Sequence, residues 1–142
     1  MATQKTLIGI DPDIDKSGVA LLFGSQLELN NLSFFELFDY LQEKKTSENL
    51  LVYVECGFLN GGNRHLKFGG SHALNSKIGE RIGSNHETAK KIIEMCEYLK
   101  ITHFKVKPTR SKSTNEFFKQ STGFTGQTNQ EQRDAFFLIF GR

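Results

Sequence analysis

The first 32 residues constrain the fold most. Residues 6–11 (TLIGID) read as a short buried strand that ends on an acid. PDIDKSG follows, with Pro12, the turn acids Asp13 and Asp15, and Gly18. Such a segment breaks regular structure and turns the chain. Residues 19–23 (VALLF) form a second apolar run, Gly24-Ser25 is a tight-turn signal, and QLELNNL alternates as a third strand. A hairpin-connected meander is therefore expected at the start, with Asp11 at the end of its first strand.

The rest of the chain alternates. Residues 33–45 carry a capping box, Ser33 with Glu36, and apolar residues at helical spacing (Phe34, Leu37, Phe38, Leu41). Residues 50–55 (LLVYVE) form a fourth strand, nearly all apolar, as expected for a strand covered on both faces. It also ends on an acid, Glu55. Residues 56–79 are rich in Gly and Asn and read as a long mobile loop, a length that usually serves function. A helix follows to residue 99, starting near 80 or at the Ser84/Glu87 box, with an earlier start near Ser76 as the alternative. Gly79 and Gly83 would then permit close packing. Residues 101–106 are a fifth strand, 114–120 a short helix, and 129–141 a last helix with a Thr128/Glu131 capping box. The Phe117-Phe118 and Phe136-Phe137 pairs are expected in the core. The order βββαβαβα describes an α/β domain with a five-stranded mixed sheet, three antiparallel strands then two parallel, flanked by helices. At 142 residues it is expected to be a single domain over 1–142.

Composition excludes some classes. No apolar run is long enough to span a bilayer, and the start lacks a signal-peptide layout. An intracellular, cytoplasmic protein is the expectation. Cys56 and Cys96 have no metal-ligand spacing and read as buried reduced thiols. The four histidines (His65, His72, His86, His103) show no zinc pattern, and His103 falls on a strand. Net charge is only +2, but it is unevenly spread. Residues 100–142 carry eight Lys/Arg against three Asp/Glu, or +5, which leaves −3 for the first 99 residues. A basic C-terminal third suits a polyanionic partner. Scattered surface lysines would give the same count.

Asp11, Glu55, Glu131 and Asp134 are the candidate reactive acids. Two close neighbouring strands, where sites of α/β sheets assemble. The other two lie three apart on one helix face. If that helix points its N-terminus at the strand ends, four carboxylates converge. They would repel one another unless cations lay between them. Oxygen donors of this kind select Mg²⁺ or Mn²⁺. Two ions per site can flank a phosphodiester, one activating water and one stabilising the leaving 3′ oxygen. Each acid has a second use. Asp11 can initiate a turn, Glu55 can simply be the first exposed residue after a strand, Glu131 can cap a helix, and Asp134 can complement the helix dipole.

At these residues the chain resembles the RuvC family of Holliday-junction resolvases, of ribonuclease H-like fold. IGIDPDIDKSGVALL is similar to the family's strand–Asp–Pro–turn–Gly–strand opening. VYVECGF is similar to the strand ending in its catalytic Glu, and EQRDAFFLIFG to its last helix. The resemblance implies a metal-dependent endodeoxyribonuclease that acts as a homodimer on branched DNA, above all four-way junctions, with no small-molecule cofactor and no membrane partner. It implies Asp11, Glu55 and Asp134 as metal ligands, and Glu131 as a ligand or proton-transfer group. Lys107 would approach the scissile phosphate, and Phe58 the junction centre. DNA contacts are further expected from Arg64, Lys67 and Phe68 in the long loop, from Lys77 and Arg81 beyond it, and from Lys105, Arg110 and Lys112 near the fifth strand. The chain departs from the family at Asp13, where a Gly follows Asp-Pro; Asp13 and Asp15 then read as solvent-exposed turn acids. Three other readings stay open: a catalytically silent DNA-binding module of this fold, a nuclease preferring other branched DNA or RNA, and a phosphotransferase of the actin and sugar-kinase superfamily. The last needs a second lobe that this chain does not supply.

Overall fold

A computed structural model describes residues 4–60, 72–108 and 114–142. Its strands are Thr6–Asp11 (β1), Ser17–Phe23 (β2), Gln26–Leu32 (β3), Leu50–Glu55 (β4) and His103–Val106 (β5). They form one sheet in the order β3-β2-β1-β4-β5. β1 pairs antiparallel with β2, and β2 with β3. β1 pairs parallel with β4, and β4 with β5. This is the expected mixed sheet. The helices are Phe34–Lys44 (α1), His72–Tyr98 (α2), Asn115–Thr122 (α3) and Gln130–Ile139 (α4), with a single 3-10 turn at Gly57–Leu59.

Strand residues alternate between two cores because successive side chains point to opposite faces. Ile8, Ile10, Val19, Val52 and Val54 face one side, where they meet Leu37 and Leu41 of α1 and Ile92, Ile93, Met95 and Cys96 of α2. Leu7, Ala20 and Tyr53 face the other, against Phe118 of α3 and Ala135, Phe136, Leu138 and Ile139 of α4. Both faces of β1 and β4 are thus covered. Phe118 and Phe136 are core residues as expected, but Phe117 is half exposed and stacks on Phe137.

The α1 capping box forms as read: Glu36 N–H donates to Ser33 Oγ, and Ser33 N–H donates to Glu36 Oε1 at 2.9 Å. Two other expectations are corrected. The Ser84/Glu87 box does not exist, because α2 already begins at His72 and Ser84 lies inside it, its carbonyl accepting from Thr88 Oγ1. Residues 72–79 are therefore helix and not loop. Among the described residues Gly79 and Gly83 serve no close packing, since a Cβ at either meets nothing within 4 Å. At α4 the cap is Asn129 with Gln132, not Thr128 with Glu131. Thr128 instead donates to Asn115 and accepts from Arg133. Among the described residues no helix is long and apolar enough to cross a membrane.

At two points the α4 backbone comes directly against the sheet. A Cβ at Gly9 would overlap the Ala135 carbonyl, and one at Gly18 would overlap the Glu131 backbone. Only glycine permits that approach. Gly18 is the register partner of Asp11. α4 therefore runs antiparallel to β1, with its first turn at the end of β1 where Asp11 lies.

Candidate active-site edge

The parallel register β1/β4 carries two acids to one edge of the sheet. Ile10 pairs with Val54, and the next residues are Asp11 and Glu55, both half-buried. β5 runs parallel to β4 with Val106 opposite Glu55, so exposed Lys107 leaves β5 one residue past that pair. Lys105, also exposed, lies opposite Val54. The first turn of α4 closes the edge from one face of the sheet. Glu131 is exposed there and is its only first-turn acid. Asp134 is half-buried and accepts from Gln130 Nε2 at 2.8 Å. Because Gln132 takes the capping position, Glu131 is not used as the cap.

The donors brought to this edge fit a hard divalent cation in kind: all are carboxylate oxygens. They approach without closing up. Among the described residues, no group of three or more His, Cys, Asp or Glu is near enough to hold a metal ion.

The turn after Asp11 differs from expectation. Asp13 is not a solvated turn acid: its side chain is 16% exposed and sits in the fork of Arg81. Arg81 Nη2 donates to Asp13 Oδ1 at 2.8 Å and Oδ2 at 2.9 Å, and Nη1 donates to Asp15 Oδ2 at 3.0 Å. Asp15 remains mostly exposed. Those carboxylates, Asp13 first, hold the Arg81 pKa above the usual guanidinium value. Arg81, expected to meet DNA, is thus engaged within the protein. One turn on, Asn85 Oδ1 accepts from the Ile14 N–H at 2.9 Å.

The loop after Glu55 is held by the same helix. A Cβ at Gly57 would stand 2.9 Å from His86 Nε2, so the imidazole lies against that backbone. Phe58 is half-buried against the core, with Lys90 Nζ 5.5 Å from its ring centroid. Asn85 and His86 were missed in the sequence because nothing local marks them. Their partners are the turn after Asp11 and the loop after Glu55, far apart along the chain. Lys77 is exposed on α2. His103 is half-buried on β5, its Nδ1 2.8 Å from the Ile101 carbonyl. Arg64, Lys67, Phe68 and His65 fall in 61–71, and Arg110 and Lys112 in 109–113, outside the described residues.

Both cysteines are buried and unpaired, as read. Burial pushes the Cys56 thiol up to about 11 and the Cys96 thiol to about 12. Neither is a nucleophile at neutral pH.

No model of a known protein family matches the chain. No curated protein matches it by sequence. Solved structures do match by fold. The structure described as "T. thermophilus RuvC in complex with Holliday junction substrate" superposes with a TM-score of 0.54 at 13% identity, over 92% of this chain and 88% of that one. A structure of Thermus thermophilus RuvC gives 0.46 at the same identity and coverage, too low to carry weight. The chain has the ribonuclease H-like fold of RuvC.

Proposed function

We propose that this chain is a divalent-metal-dependent endonuclease acting on branched DNA, with four-way junctions as its main substrate. One observation carries the reading. Two adjacent parallel strands end on Asp11 and Glu55, and glycine contacts seat the first turn of α4, with Glu131 and Asp134, at that same edge. The resolved junction complex of similar fold supports the choice of substrate.

In this reading Asp11, Glu55 and Asp134 hold the metal, and Glu131 completes the set or moves a proton. When bound, a pair of Mg²⁺ or Mn²⁺ ions supplies charge stabilisation to an attacking water and a leaving 3′ oxygen. The chain contributes position: the sheet register sets the spacing of Asp11 and Glu55, and α4 brings its acids to them. Lys107 places a fixed positive charge at the edge, suited to a phosphate. Lys77, Lys105 and the basic residues of 61–71 and 109–113 would track the duplex arms, and Phe58 would leave its core contact to meet an unstacked base. Two copies would place two such edges on opposite strands of a junction, so a homodimer belongs to the proposal.

The test is cleavage of four-way, three-way, flap and linear duplexes with and without Mg²⁺ or Mn²⁺, beside Asp11→Asn. Junction cleavage that needs the metal and falls about 100-fold or more in Asp11→Asn is expected. Cleavage unchanged in Asp11→Asn would sink the mechanism, and binding without cleavage by the wild-type chain would favour a silent DNA-binding module.

A further inference from the structure

Two carboxylate-bearing strand ends, well separated in sequence, are gripped by four residues within ten positions of one helix. Arg81 and Asn85, one turn apart on α2, hold the turn that leaves Asp11. Asn85 does so twice, accepting from Ile14 N–H and donating to Asp13 Oδ1 at 3.4 Å. Asp13 is further fixed within its own turn, where Oδ2 accepts from Asp15 N–H at 3.0 Å and its N–H donates to Ser17 Oγ at 3.1 Å. His86 and Lys90, again four apart, hold the backbone of Gly57 and the ring of Phe58 just past Glu55.

We infer that α2 is a brace that fixes the segments leaving Asp11 and Glu55, whose spacing the sheet register sets, with Arg81 and Asn85 as positioning residues for a cation bound at this edge. The inference rests on the proposed metal-dependent reading of that edge. Asp13 is central to it. An extra negative charge two residues from Asp11 would otherwise add to the repulsion among the acids; the Arg81 fork neutralises it and turns it into an anchor. The fork geometry matters, since a guanidinium can span Asp13 and Asp15 together and an ammonium acts as a point charge. Exposed ion pairs add little to global stability. Arg81 is itself half exposed. Its effect is therefore expected on ligand geometry and not on the melting temperature.

Mn²⁺ titration by calorimetry on the wild-type chain and on Arg81→Gln, Arg81→Lys, Asn85→Ala, Lys91→Ala and Asp11→Asn tests this, with thermal melts and amide exchange on the same samples. Arg81→Gln is expected to weaken Mn²⁺ binding about tenfold, the size typical of groups that orient metal ligands. Its melting point should stay within about 3 °C of wild type, and the amides of Asp13 to Asp15 should exchange faster. Arg81→Lys should fall between. Lys91→Ala, on the same helix but paired with Glu94 among the described residues, should match wild type. Equal Mn²⁺ affinity in Arg81→Gln and wild type overturns the inference alone, as does a loss that merely follows a collapsed melting point. Absence of Mn²⁺ binding in the wild type, or equal binding in Asp11→Asn, overturns the functional reading and the brace with it.

Discussion

α4 and α2 approach the same sheet edge by different physics. α4 arrives through its backbone, with the Glu131 and Ala135 carbonyls pressed into spaces that exist only because Gly18 and Gly9 lack side chains. The middle of α2 arrives through the tips of Arg81, Asn85, His86 and Lys90, partly in water. Contact by shape is insensitive to salt and intolerant of volume. Contact by charge tolerates volume and weakens with ionic strength. The edge therefore has one wall fixed by sterics and one held by electrostatics.

The comparison can be broken most forcefully at Gly18. Gly18→Val drives two methyl groups and a Cβ into the α4 backbone and should cost about 3 kcal/mol or abolish folding; urea unfolding measures it. Gly9→Ala, one methyl against the Ala135 carbonyl, should cost about 2 kcal/mol by the same measurement. Arg81→Gln, by contrast, should change unfolding free energy by about 1 kcal/mol at most. A salt series sharpens the contrast further. Between low and about 0.5 M NaCl, exchange of the amides of Asp13 to Asp15 should accelerate, while those in the body of α4 stay unchanged.

The smallest effect concerns the two cysteines of the core against which the C-terminal part of α2 packs. Cys96 belongs to that part, and its thiol is pushed up to about 12, that of Cys56 to about 11, by burial. At pH 8 about one Cys56 in a thousand, and fewer Cys96, would be thiolate, so iodoacetamide should leave both unmodified. The unfolded chain releases these protons first, near pH 8.5. Stability contributed by the protonated thiols is thus present below that pH and is lost as pH rises toward the folded values. Alkylation of Cys96 should stay slow even in Arg81→Gln.

What could be read from the sequence was local. β1, β3 and β4 begin and end where alternation, turn residues and terminal acids put them. The Ser33/Glu36 cap depends on four consecutive residues and forms as read. The acids at the ends of β1 and β4 were legible for the same reason. The start of α2 was not. Its first turns hold only scattered apolar residues, and Gly79 and Gly83 each oppose helix by about 1 kcal/mol. Ties from Arg81 and Asn85 to a turn 66 to 72 residues away lie across that stretch. The α4 cap was misplaced by one residue because Thr128 and Asn129 can both cap; Arg133 and Asn115 claim Thr128. Asp13 reads as a solvent-exposed turn acid because its partner, Arg81, is distant in sequence and is expected at DNA.

The seat of α4 has one more consequence. Glu131 meets Gly18 through its carbonyl and Cβ, and Gln132 rather than Glu131 completes the α4 cap. Neither the cap nor the close approach at Gly18 uses the Glu131 carboxylate. On the metal-dependent reading proposed above, aspartate, histidine or glutamine there would be presented from the same backbone platform, so exchanging this one side chain would test the ion preference of the edge.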